Sequence, residues 1–175
     1  MTRNAYRIAA ALALLSTGQM AQAAATKPCM TPAELRGMVA YMLPTAMGSL
    51  VERCRPALAP GAALLTRGPQ LVSELEAGQS TAFPMARRAF AKFSDKGDNK
   101  TSDLMLALPE ASLKPIIEAA LSQELTSSIK AKDCPDIDRV FGTLQPLPAG
   151  NFIDFFVEVI TIGVRDNKDM TVCPS

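Results

Sequence analysis

The stretch TPAELRGMVAYMLPTAMGSLVERC, Thr31 to Cys54, places Leu35, Met38, Val39, Met42, Leu43, Ala46, Leu50 and Cys54 at steps of three and four. That spacing gathers side chains on one face of a helix. Glu34, Gly37, Tyr41, Thr45, Gly48 and Glu52 fall on the other face, which reads as the solvent side. Thr31 suits the N-cap, Pro32 the first helical position, and Glu34 the place from which a carboxylate reaches back to the cap amide. Pro44 lacks the N–H that would donate to the Ala40 carbonyl, and its ring crowds that carbonyl. The apolar face keeps its phase across Pro44, so one helix kinked at Pro44 is expected rather than two separate helices.

Upstream of this helix, Arg3 and Arg7, the apolar run from Ile8 to Leu15 and the small-x-small triplet Ala21-Gln22-Ala23 have the pattern of a secretory signal peptide. Residues 1–23 are expected to be removed after Ala23, with Ala25 the second choice. Residues 24–175 then form one domain, long enough to bury a core. Removing Arg3 and Arg7 from 18 basic residues leaves 16 against 17 acidic ones, a net charge near minus one. That balance does not favour a nucleic-acid or anionic-membrane partner.

All four cysteines, Cys29, Cys54, Cys134 and Cys173, lie in the exported part, and an even count in an oxidising compartment reads as two disulfides. A zinc site is disfavoured, because the chain has no histidine and no close CxxC pair. A helix from residue 32 to 53 rises roughly 30 Å at 1.5 Å per residue, whereas bridged Cα atoms lie within about 7 Å. Cys29 therefore cannot reach Cys54 unless Pro44 folds the helix back on itself. Of the two pairings left, Cys54 with Cys134 and Cys29 with Cys173 is preferred, because the second bridge closes the chain ends.

Downstream, RPALAPGAALLTRGP (55–69) reads as a loop with at most a short turn near Ala62 to Leu65. Prolines at 32, 69, 84, 115 and 135 each stand where a helix could begin, which gives an all-α bundle of about six helices. Leu113, Ile116, Ile117, Ala120, Leu121, Leu125 and Ile129 mark a second strongly periodic helix. NFIDFFVEVITIGVR (151–165) is the most apolar part of the exported chain. Asp154, Glu158 and Thr161 draw one polar line down it, so a helix is preferred to a strand. It is too short and too charged to span a membrane, and it is expected to be the central, most buried helix.

Several chemical readings lose to plainer ones. Arg87, Arg88, Lys92 and Lys96 interleave with Phe90 and Phe93, but Asp95 and Asp98 follow, so a solvated face is preferred to a nucleic-acid patch. SDKGDNKTSD (94–103) suggests a calcium loop, but Lys100 within it and Leu106 beyond it stand where such a loop needs glycine and glutamate. Asn99-Lys100-Thr101 has the pattern of an N-glycosylation sequon. Asp136 and Asp138 fit a first helical turn, where carboxylates complement the dipole, better than a metal site. Without histidine no Ser-His-Asp or Cys-His pair, HExxH site or histidine base can form, and GxSxG, P-loop and GxGxxG motifs are absent. Asp154 and Glu158 are the one suggestive carboxylate pair, and structural ion pairing explains them equally well.

The expected function is an exported, periplasmic or secreted, non-enzymatic binding or protein-interaction module that needs no metal or cofactor. The alternative is a small carrier of an apolar ligand, held near the Pro44 kink by Met38, Met42, Leu43 and Met47. Methionines line adaptable apolar sites, and they also fill cores or hold Cu(I); core filling is the plainest role for these. A large internal pocket at the kink favours the carrier; a filled core with an exposed apolar patch favours a protein partner.

Overall fold

The fold is organised around its first helix, α1 (Pro32–Cys54), in a computed structural model that describes residues 29–94, 99–165 and 172–173. The signal peptide expected over residues 1–23 lies outside the described residues. Thr31 and Glu34 form the capping box: the Glu34 N–H donates to Thr31 Oγ1 (3.2 Å), and the Thr31 N–H donates to Glu34 Oε2 (2.8 Å). Lys92 Nζ adds a hydrogen-bonded ion pair to the same carboxylate oxygen at 2.6 Å. Pro44 interrupts the hydrogen bonding of α1 without ending the helix. One residue beyond Ala40, the Tyr41 carbonyl accepts a bond from the buried Gln79 side chain (2.9 Å), which in turn accepts from Lys114 Nζ (2.8 Å).

Six more α-helices follow among the described residues, and no strand: α2 (Ala63–Glu76), α3 (Gln79–Ser94), α4 (Asn99–Ala107), α5 (Glu110–Ser128), α6 (Cys134–Leu144) and α7 (Ala149–Gly163). Short 3-10 turns at Arg55–Ala57 and Ala131–Asp133 complete the path. Helix α1 packs against α2, α3, α5 and α7, while α4 leans on α3 and α6 on α2. The architecture is the all-α, disulfide-stapled bundle expected, with seven helices rather than about six. The bridges join Cys54 to Cys134, between the end of α1 and the start of α6, and Cys29 to Cys173. Beside the second bridge, Met30 and Val172 pair in a single parallel β-bridge.

Three expectations need correction. The central helix is α1, and the last helix is not the buried one: of α7 only Phe152 is buried, and Phe155, Val159 and Ile162 face solvent. The reason lies in the supposed solvent face of α1, which is made mostly of small or uncharged residues and so accepts a neighbouring helix. Gly37 meets α3 so closely that an added Cβ would lie 2.4 Å from Met85 Cβ. Tyr41, 1% exposed, stacks against Phe83 (ring centroids 5.4 Å apart) and Phe90 (6.1 Å) instead of facing water.

The prolines also sit differently. Pro32 and Pro135 lie in first turns, but α2, α3 and α5 begin upstream of Pro69, Pro84 and Pro115 and carry them inside. Burial of Leu64 and Gln79 near the starts of α2 and α3 favours extending those helices past the point where local preference would begin them. The start of α2 is also held from a distance, since the Leu64 N–H donates to Asp138 Oδ1 at 2.7 Å.

Candidate functional site

Helix α6 repeats apolar residues at Ile137, Val140, Phe141 and Leu144, a spacing of three, four and seven that makes a single stripe. The Cys54–Cys134 bridge pins its first residue to α1. Phe141 then turns into the core, and Val140 is left at the surface. Helix α7, packed on α1 and α2, turns Phe152 inward to meet Phe141, with Phe156 half-buried beside it. Between them, with Met47 and Leu50 of α1 as floor, opens an apolar groove of about 290 Å³ whose one charged lining residue is Asp136.

A chain of aromatic rings runs from the core out through this groove. Phe141 meets Phe152 edge-on (6.3 Å), Phe152 tilts against Phe156 (5.1 Å), and Phe156 meets the exposed Phe155 edge-on (5.4 Å). Such pairings add to area burial and hold the rings in fixed positions. Val140, in the lining of the groove, is 59% exposed, and beyond the lining Phe155 is 40% exposed, Val159 47% and Ile162 63%. Phe155, Val159 and Ile162 are spaced four and three apart, so they form a continuous line along α7. The α7 line meets the groove where Phe155 packs on Phe156, so its exposed side chains continue the apolar lining along α7 rather than standing singly.

The charges around the patch are mostly satisfied locally. Asp136 pairs with Arg139 (2.9 Å) on its own helix, and Asp154 accepts from Arg36 Nε (2.8 Å). Both pairs are well exposed and therefore worth little. Asp154 thus has a structural role on α7, in an ion pair with Arg36 of α1. Asp138 caps α2. Among the described residues no cluster of three or more histidine, cysteine or carboxylate groups is placed to hold a metal ion.

The basic residues of α3 are dispersed too: Arg87 lies over the Phe83 ring at 5.5 Å, Lys92 pairs with Glu34, Arg88 faces solvent, and Lys96 lies outside the described residues. The calcium-loop reading of residues 94–103 falls partly outside the described residues; where the chain resumes at Asn99, the first residue of the sequon, it is helical.

Of the four residues expected to line a pocket at the kink, Leu43 and Met47 are buried in the main core, Met38 packs on that core, and Met42 is half-buried. Met47 also forms part of the α6–α7 groove. A second cleft of about 500 Å³ is walled by small residues, among them Gly37, Ala40, Gly78 and Ala82, with Arg36 in its lining. Two buried groups with perturbed acidity, Glu34 and Tyr41, are not among the lining residues of either opening. Burial pushes the Glu34 carboxyl up, but hydrogen bonds from Lys92 and Thr31 outweigh it and leave the group below its ordinary value. Burial, reinforced by Glu110 and Glu118, pushes the Tyr41 hydroxyl up to about 12.

Sequence reasoning missed the exposed face of α7 and the part played by α6, although the α6 stripe was visible in the spacing of Ile137, Val140, Phe141 and Leu144. None of the protein-family models, curated proteins or solved structures compared with the chain matches it.

Proposed function

We propose that this chain is an exported, non-enzymatic interaction module that binds a protein partner through the apolar face of α6 and α7. The observation that carries this reading is an apolar groove with Val140 exposed in its lining, continued through the Phe155–Phe156 contact by the exposed line Phe155, Val159 and Ile162. Export is supported by the signal-like start of the sequence and by the two disulfides, which persist in oxidising compartments such as the periplasm. No helix among the described residues is long and apolar enough to cross a membrane.

Magnitude decides what kind of complex this is. Burying a large apolar side chain is worth about 1.5–3 kcal/mol when it starts fully exposed. Four that are roughly half-exposed supply about 3–6 kcal/mol, close to the cost of association itself. The patch thus needs an anchor from the partner seated in the groove, and the complex belongs to the transient class. Phe155→Asp with Val159→Asp keeps the helical circular dichroism and removes the partner-bound fraction seen when the exported compartment is fractionated by size. Unchanged partner retention by that folded variant sinks the reading.

A second reading rests on the groove alone: its almost wholly apolar lining, Met47 included, would equally accept a small apolar ligand. Native mass spectrometry of the purified protein, with binding of N-phenylnaphthylamine, separates the two. A carrier releases a bound small molecule on denaturation and binds the probe, whereas the interaction module does neither.

A further inference from the structure

The two disulfides differ in where they sit. Cys54 and Cys134 are fully buried members of the main core, the last residue of α1 and the first of α6, in a cluster with Leu64 and Phe141. Reaching those sulfurs requires α1 and α6 to part. Cys29 and Cys173 are half-buried, and neither belongs to a helix: α1 begins at Pro32 and α7 ends at Gly163. Among the described residues their segments are tied down by non-covalent contacts, including the packing of Val172 on the main core. The Cys173 N–H donates to the Met30 carbonyl (2.9 Å), Lys92 Nζ donates to the Cys29 carbonyl (3.0 Å), and the Met30 side chain is buried in the core.

We infer that Cys29–Cys173 is a reducible latch, opened by a dithiol reductant while Cys54–Cys134 and the seven-helix bundle stay intact. In the opening step a thiolate of the dithiol attacks one bridge sulfur, the other cysteine leaves as a thiolate and takes up a proton, and a mixed disulfide remains. The second thiol of the reductant displaces the first bridge sulfur, so that two electrons and two protons pass to Cys29 and Cys173 and the dithiol departs as a cyclic disulfide. Such exchange depends on access to the sulfur as well as on thiol chemistry.

Loop length works the other way, since the latch spans 144 residues and the buried bridge 80. The ratio is less than a doubling, and closure entropy grows only logarithmically with length, so access dominates. No helix hydrogen bond is lost when the latch opens. What loosens is the anchorage of Met30 and, next to it, the first two turns of α1, which contribute Ala33, Arg36 and Gly37 to the larger cleft.

The test uses the oxidised protein and dithiothreitol, with samples quenched in acid, labelled with N-ethylmaleimide and mapped by peptide mass spectrometry. The expected product carries label on Cys29 and Cys173 only, forms about tenfold faster than any labelled at Cys54 and Cys134, and keeps the far-ultraviolet circular dichroism of the oxidised protein. Label at Cys54 and Cys134 at an equal or earlier time overturns the inference, as does a helical signal that falls in step with the first reduction, or no reduction at Cys29 and Cys173. The Cys29→Ser, Cys173→Ser double variant mimics the open latch and should fold with the remaining bridge formed. If it does not fold, the open state is not a folded state and there is no latch.

Discussion

Replacing Gly37 with alanine should force α1 and α3 apart, and the same change at Gly48 measures what alanine does to α1 when nothing is in the way. An added Cβ at Gly37 would stand 2.4 Å from Met85 Cβ, 3.1 Å from the Ala86 nitrogen and 3.2 Å from the Met85 carbonyl carbon. Carbon atoms rest at about 3.5–4.0 Å. The contact is thus more than an ångström too short, and its partner atoms are backbone or backbone-fixed, so no rotamer change relieves it. Overpacking of this kind costs typically 1–3 kcal/mol, against a helix-propensity gain of about 0.8–1.0 kcal/mol for glycine to alanine. The net expectation for Gly37→Ala is a loss of up to about 2 kcal/mol. At Gly48 nothing lies within 4 Å, so Gly48→Ala should keep the propensity gain, somewhat under about 1 kcal/mol in a folded protein. Urea titrations followed at 222 nm give both numbers, and melting temperatures should move in opposite directions by about 2–4 °C per kcal/mol. Equal stabilisation by both variants would falsify the close packing of α3 on α1 and with it the central place given to that helix.

Other perturbations test separate parts of the structure. Phe152→Ala removes a ring that is 1% exposed and should cost about 3–5 kcal/mol, while Phe155→Ala, at the surface of the same helix, should cost less than about 1 kcal/mol; comparable losses in urea would mean that α7 is not oriented as described. The hydroxyl of Tyr41 is buried without a hydrogen-bond partner among the described residues, so Tyr41→Phe should be neutral or stabilise by about 1 kcal/mol in the same assay. Raised from 10 to about 12 in the fold, this group is neutral below pH 10, and the stability tied to that shift is lost as pH rises from about 10 through about 12. The only other tyrosine is Tyr6, so in the chain from residue 24 onward absorbance at 295 nm reports Tyr41 alone, and a midpoint near 10 would contradict its burial. Glu34, held below its ordinary value, stabilises the fold above its unfolded-state acidity and ceases to do so as pH falls through the lower folded value; Glu34→Gln should therefore flatten the acid side of the stability curve, and an unchanged acid limb would rule out its pairing with Lys92.

The helical class was legible because periodicity and capping are local signals, and Thr31 with Glu34 marks the start of α1 as the sequence implies. Helix length argued against a Cys29–Cys54 bridge unless Pro44 folded the helix back, and in the structure α1 runs through Pro44 and Cys54 meets Cys134. What periodicity does not carry is which helix lies in the middle. Phe155, Val159 and Ile162 raised the apolar content of α7 and made it look like the core, while Gly37 and Gly48 made one side of α1 look like surface. Burial is decided by which faces neighbouring helices can approach, and small residues invite approach without adding hydrophobicity. The same limit hid the candidate site, since surplus apolar residues for a partner and for a core look alike until the packing is known. Pro69 and Pro84 misled for a related reason: a proline fits best at a helix start, but buried residues upstream override that preference when they extend the helix.

The most direct test of the α6–α7 face is site-specific photo-crosslinking in the exported compartment, with a benzophenone side chain placed at Val140, at Phe155 and, as a control on an exposed part of α2, at Thr66. The interaction module predicts one discrete adduct of the same partner from Val140 and Phe155, lost when Val159→Asp is added, and none from Thr66. Adducts of equal yield from all three positions, or no adduct from Val140 and Phe155 under illumination that labels a known binding pair, would contradict it.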